Sequence, residues 1–164
     1  FFSSRRRHTK CLSDWSSDVS SDLHRFGSKI AGLVFVNPMI TIKGPAQYFL
    51  PLISKFVPKM KAVGGDIKRP GSSEWSYNAL PLKGVVQLRK LLKDSRAKLP
   101  EIKVPFMIFH SVDDHVLPVY NTEIYMSEIG SVQKQRIELV NSYHVATVDY
   151  DAEIIFENSL LALK

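Results

Sequence analysis

At 164 residues the chain is long enough for one domain with a real core and too short for two ordinary ones. Hydrophobic and charged fractions of 45% and 23% exclude a disordered composition, and no apolar run reaches the roughly 18–20 residues that span a bilayer as a helix. The net charge of +6 raises nucleic acid as a partner, but Arg89, Lys90, Lys93, Arg96 and Lys98 are spaced like the solvated face of an amphipathic helix, without interleaved aromatics to stack bases, so no nucleic acid is expected.

Residues 1 to 23 stand apart. Seven of these 23 are serine, Ser-Asp recurs at Ser13-Asp14, Ser17-Asp18 and Ser21-Asp22, and no helical or strand period runs through them. They lack the apolar h-region of a signal peptide. The stretch resembles translated sequencing-adapter DNA, especially Asp18-Val19-Ser20-Ser21-Asp22-Leu23, and is expected to be an artefactual or disordered tail. Without it the basic count falls from 22 to 18 and the acidic count from 16 to 13, leaving +5. The single cysteine, Cys11, lies in this stretch and excludes an internal disulfide.

From residue 24 onward the chain reads as one partial domain. Ile30 to Asn37 is a short, nearly continuous apolar run closed by Asn37-Pro38, as expected of a strand buried on both faces of a parallel sheet. Gly44 to Val63 mixes Tyr48, Phe49, Leu52, Ile53 and Phe56 with Pro45, Pro51 and Pro58, and predicts short, proline-broken helices with a greasy surface. A helix is expected from about Leu82 to Leu99, with Val85, Leu88 and Leu92 on one face. Val104 to His110 is a second buried strand, and Arg136 to Val140 alternates like a strand with one wet face. Between these two, Pro118 is placed to open a helix and Gly130 to close it. Asp149 and Asp151 can cap a last helix, whose Ala152, Ile155, Phe156, Ser159, Leu160 and Leu163 form an apolar stripe expected to lie on the sheet. Three strands separated by helices predict an α/β fold.

Two loops at the C-terminal ends of the second and third strands carry the chemistry, because ligands bind there in open α/β sheets. They are His110-Ser111-Val112-Asp113-Asp114-His115-Val116-Leu117-Pro118 and Asn141-Ser142-Tyr143-His144-Val145. An Asp on one loop can accept the Nδ1–H of a His on the next, leaving Nε2 free to take a proton from a hydroxyl nucleophile. The histidines lack zinc spacing, and neither a metal nor a cofactor is expected.

The run Val104 to Pro118, followed 30 residues after Asp114 by Ser142-Tyr143-His144-Val145, resembles the end of α/β-hydrolase esterases and lipases, nearest to the small carboxylesterases and monoacylglycerol lipases. The resemblance covers most of 28 to 163. It implies that this is the C-terminal half of an α/β-hydrolase sheet, with residues from about 40 to 100 including a cap over an acyl pocket. Asp114 and His144 would be the catalytic acid and base, ahead of the neighbouring Asp113. His110 and His115 would be a loop-packing and a surface residue. Ser111 departs from the glycine more usual there, a change tolerable in a turn. The family nucleophile sits in Gly-x-Ser-x-Gly, which occurs nowhere in the chain, so the chain alone is expected to be inactive and the serine to lie upstream. The implied reaction is hydrolysis of a small acyl ester. Thioesterase, peptidase, epoxide hydrolase or dehalogenase chemistry, or a non-catalytic binding domain, are the alternatives the same ending allows. A cytoplasmic location is the default expectation, with any targeting signal upstream. An apolar first strand without a partner on its outer edge is expected to promote aggregation.

Overall fold

The structure is a computed structural model that describes residues 30–44, 46–62, 64–74 and 76–162. The N-terminal tail expected at 1 to 23, with Cys11, and Leu163 of the apolar stripe lie outside the described residues.

Strands β1 (Leu33–Val36), β4 (Phe106–Ser111) and β5 (Lys134–Leu139) form a parallel sheet in the order β1-β4-β5. The central strand β4 is buried along its whole length, which is why Phe106-Met-Ile-Phe-His-Ser111 reads as a run rather than an alternation. Its side chains nevertheless divide by pleat. Phe106 and Ile108 join Leu99, Ile102, Tyr125 and Ile129 on one face, while Met107 and Phe109 join Leu139, Ala146 and Ile155 on the other. On the first face Phe35 meets Phe106 and Tyr125 edge-on, at centroid distances of 5.3 and 5.2 Å.

Between β1 and β4 the chain makes an excursion. Helix α1 (Ala46–Phe56) is followed by β2 (Lys59–Lys61), β3 (Ala79–Pro81) and helix α2 (Leu82–Lys98). The proline-broken helices expected here are instead one helix that carries Pro51 inside it. Strands β2 and β3 pair antiparallel, with Met60 opposite Leu80. Three-residue strands with every position exposed leave no periodicity in the sequence. On α2, Leu82 and Leu92 are buried, whereas Val85 and Leu88 are only half-buried.

Helix α3 (Tyr120–Glu128) begins two residues after Pro118 and ends before Gly130. Its buried Asn121 accepts the backbone N–H groups of Ile40 and Thr41, both at 3.0 Å, and so moors the segment after β1. Gly130 is required for a different reason than left-handed backbone. Its N–H donates to Leu99 O at 3.0 Å, and a Cβ there would collide with the Pro100 carbonyl.

Helix α4 (Ala152–Ala162) corrects two expectations. Of its apolar stripe only Ile155 is buried, while Phe156 and Leu160 remain 54% and 64% exposed. The carboxylates of Asp149 and Asp151 do not cap it. Asp151 accepts Asn141 N–H at 2.8 Å and Asp149 turns toward other loops, so the helix starts on their backbone carbonyls alone.

Two outcomes follow. Gly130→Ala should lower stability by about 1–3 kcal/mol through overpacking, measurable as a reduced denaturation midpoint. With β1 open on its outer side among the described residues, and α4 apolar outward, the purified chain should self-associate in sedimentation velocity. A monomer with one cooperative melt would contradict that.

Candidate active site

The C-terminal ends of β1, β4 and β5 converge, and each leads into a loop held by its neighbours. Asn37 directly follows β1 with a left-handed φ of 43°, a conformation that asparagine tolerates better than most residues. Its buried amide donates to Ser111 Oγ at 2.9 Å and to the His144 carbonyl at 2.8 Å, and its oxygen accepts Ser111 N–H at 2.7 Å. Ser111 Oγ in turn donates to the Tyr143 carbonyl at 2.8 Å. Ser111 is therefore the fully buried last residue of β4 and a working hydrogen-bond partner, not a tolerated substitution in a turn.

Asp114 follows in the turn after β4. Its Oδ1 accepts the N–H groups of Val116 and Leu117, at 2.8 and 2.7 Å, a local arrangement open to an Asp at the head of a turn. Its Oδ2 lies 2.8 Å from His144 Nδ1, with the Asp114 side chain only 1% exposed. Burial pushes the Asp114 carboxyl up, but the His144 hydrogen bond and the two N–H groups outweigh it and hold the pKa below its ordinary value. Both Asp114 oxygens are thus occupied by donors. His144 keeps 27% of its side chain exposed, and among the described residues its Nε2 makes no hydrogen bond.

The remaining candidates separate from this pair. Asp113 points outward, 3.8 Å from Lys68 Nζ and more than half exposed. His110 is not a loop residue but a buried position of β4, 3.3 Å from Thr122 Oγ1, and burial followed by the nearby Arg136 charge lowers its pKa. His115 is exposed, as a surface residue should be, yet its Nδ1 sits 2.8 Å from Asp66 Oδ1 and its ring packs edge-on against Tyr143. Among the described residues no cluster of His, Cys, Asp or Glu is arranged to hold a metal ion, and no helix is long and apolar enough to cross a membrane.

Two carboxylates that sequence reasoning did not assign to the site hold the histidine loop. Asp149, 1% exposed, accepts Lys68 N–H at 2.7 Å, Arg69 N–H at 2.9 Å, Tyr143 N–H at 3.0 Å and Tyr150 N–H at 2.9 Å. Burial pushes its carboxyl up, and the four backbone donors overcome that to hold the pKa below its ordinary value. Asp66 accepts His144 N–H at 3.1 Å. No local signal marks the contacts that Asp149 makes with Lys68 and Arg69 or that Asp66 makes with His144, which span 81, 80 and 78 residues.

The three parallel strands flanked by helices, with an Asp and a His on successive strand-end loops, define the C-terminal part of an α/β-hydrolase sheet. No family model matches the chain. It is 42% identical over 101 residues to the thermostable monoacylglycerol lipase of Bacillus sp. strain H-257, covering 62% of this chain and 40% of the lipase. Among solved structures it matches one from a study of the metagenome-derived lipolytic enzymes LipS and LipT, with TM-score 0.82 and 32% identity, over 93% of this chain and 62% of that one. The monoacylglycerol lipase of Paleococcus ferrophilus matches in fold, at TM-score 0.69 and 14% identity, over 90% of this chain and 64% of that one. The chain has a partial α/β-hydrolase fold, and the proteins it resembles are lipases and esterases. It spans less than two thirds of the length of each of these relatives.

The lowered pKa values set a sign for acid stability. A carboxyl depressed in the folded state contributes stability that is complete above its ordinary value of 3.8 and is lost as pH falls through the lower folded value. Urea titrations should therefore show stability dropping on that descent, and Asp114→Asn should flatten the drop. Asp149→Asn turns an NH2 group toward backbone donors, and should cost about 2–4 kcal/mol at neutral pH.

Proposed function

We propose that this chain is the acid-and-base half of a serine hydrolase that cleaves carboxylic (acyl) esters, with Asp114 and His144 as the acid and base of its triad. The observation that carries the reading is the 2.8 Å contact between a buried, fully hydrogen-bonded carboxylate and His144 Nδ1, at the ends of adjacent parallel strands. In this reading the nucleophilic serine and the oxyanion-hole donors belong to a part of the parent protein that the chain does not contain. Residues from about 40 to 100 include its cap.

The division of labour follows from the geometry. Asp114 accepts the Nδ1–H of His144, which fixes the tautomer whose lone pair is on Nε2. Nε2 removes the proton of the serine hydroxyl as its oxygen attacks the acyl carbonyl. The resulting imidazolium is stabilised by Asp114, whose other oxygen is held by Val116 and Leu117 and so cannot turn away. The same proton then passes to the departing alcohol. Water repeats the sequence on the acyl-enzyme and releases the acid.

The small acyl ester assigned as substrate is supported by the lipase and esterase relatives and by the excursion between β1 and β4. Helix α1 presents Phe49, Leu52 and Phe56 at 58–80% exposure, a surface suited to an acyl chain and unusual on a face meant only for water.

Hydrolysis of short-chain p-nitrophenyl esters and of monoacylglycerol tests the reading. The chain alone should give none, and the gene product that continues upstream through a Gly-x-Ser-x-Gly elbow should be active. In that longer protein His144→Ala should lower kcat by about 10⁴-fold or more, and Asp114→Asn by about 10⁴-fold. Full activity in the His144→Ala enzyme would overturn the assignment. Turnover by the isolated chain, abolished by His144→Ala, would overturn the missing nucleophile.

A further inference from the structure

The loop between β2 and β3 reaches back to the sheet and grips both catalytic loops through a single side chain. Asp66 is 16% exposed in its side chain. Its Oδ2 accepts the backbone N–H of His144 at 3.1 Å and that of His115 at 3.3 Å, and its Oδ1 lies 2.8 Å from the His115 ring. Its backbone carbonyl accepts Val145 N–H at 3.1 Å. His115 directly follows Asp114, so one carboxylate joins the backbone beside the acid to the backbone of the base. Two and three residues further along the same loop, Lys68 and Arg69 donate to Asp149, which also holds Tyr143.

We propose that Asp66 is a positioning residue through which the β2–β3 excursion sets the orientation of His144 relative to Asp114. The proposal rests on the triad reading above and extends it. The His144 carbonyl is held from the sheet side by Asn37 and its N–H from the excursion side by Asp66, so the peptide planes flanking the imidazole are fixed from opposite directions. Displacing the excursion removes the second hold and leaves the first.

Asp66→Asn tests this, because an NH2 group then opposes N–H donors at nearly unchanged volume. In the 164-residue chain, hydrogen exchange read by mass spectrometry should accelerate at least tenfold over Tyr143–Ala146 and stay unchanged in β4 and α3. Glu128→Gln, which removes only the distant pair with Arg96, should leave the histidine loop protected. In the longer enzyme, Asp66→Asn should lower kcat about tenfold with KM within twofold, and Asp66→Glu should recover most of it. Unchanged exchange over Tyr143–Ala146 would overturn the proposal while leaving the triad assignment to the His144→Ala result. If Asp66→Asn loosens the whole sheet, Asp66→Glu decides. Recovered protection supports the role, and an intact sheet with a still-open histidine loop overturns it. An active His144→Ala enzyme would remove the catalytic reading and leave the exchange result to judge the clasp alone.

Discussion

The amide of Asn37 is the point on which the geometry of this molecule depends. Parallel strands are joined only by long connections, so nothing local fixes how the loops at their ends stand relative to one another. Asn37 supplies that relation by bonding the end of β4 through Ser111 and the loop after β5 through the His144 carbonyl. The left-handed backbone at Asn37 turns the chain out of the sheet while aiming the side chain back across the strand ends. A buried amide with every polar atom satisfied tolerates few alternative arrangements, because each lost partner leaves a desolvated donor or acceptor. Three strand ends therefore behave as one unit, and the 2.8 Å approach of Asp114 to His144 follows from it.

What could be read from the sequence was what repeats or what sits in a short motif. Strands β1 and β4 were legible as apolar runs, although only β4 is buried along its whole length and β1 is half-buried, and the alternation in β5 marked its wetter side. Asp114 and His144 were legible through the residues around them, and the structure sets them side by side. The contacts that hold them were not. Asn37, Ser111, Asp66 and Asp149 act on partners from 32 to 107 residues away or at the far side of a loop, and each looks locally like ordinary turn or cap chemistry. Asp149 misled for a physical reason. An Asp just before a helix is expected to receive the helix's own N–H groups, but here the donors of Lys68, Arg69 and Tyr143 reached it first. The stripe on α4 misled differently. Periodicity reports that a face is apolar, not that a partner covers it among the residues at hand, and Phe156 and Leu160 remain exposed.

The distribution of hydrogen-bond donors around the carboxylates decides what the pair can do. An aspartate withdrawn from water beside an imidazole has two ways to reduce its cost, taking the proton or keeping the charge with donors supplied. Asp114 has the second, since two backbone N–H groups hold the oxygen that does not face His144, and its pKa is depressed despite burial. An ionised carboxylate oxygen can only accept, so a hydrogen bond across the 2.8 Å contact with Asp114 is donated by His144 Nδ1. Asp149 meets the same requirement with four backbone donors and no titratable partner, which makes it a fixed anchor. The two carboxylates thus divide one task. Asp149 fastens the excursion to the histidine loop, and Asp114 presents its free oxygen to the His144 ring.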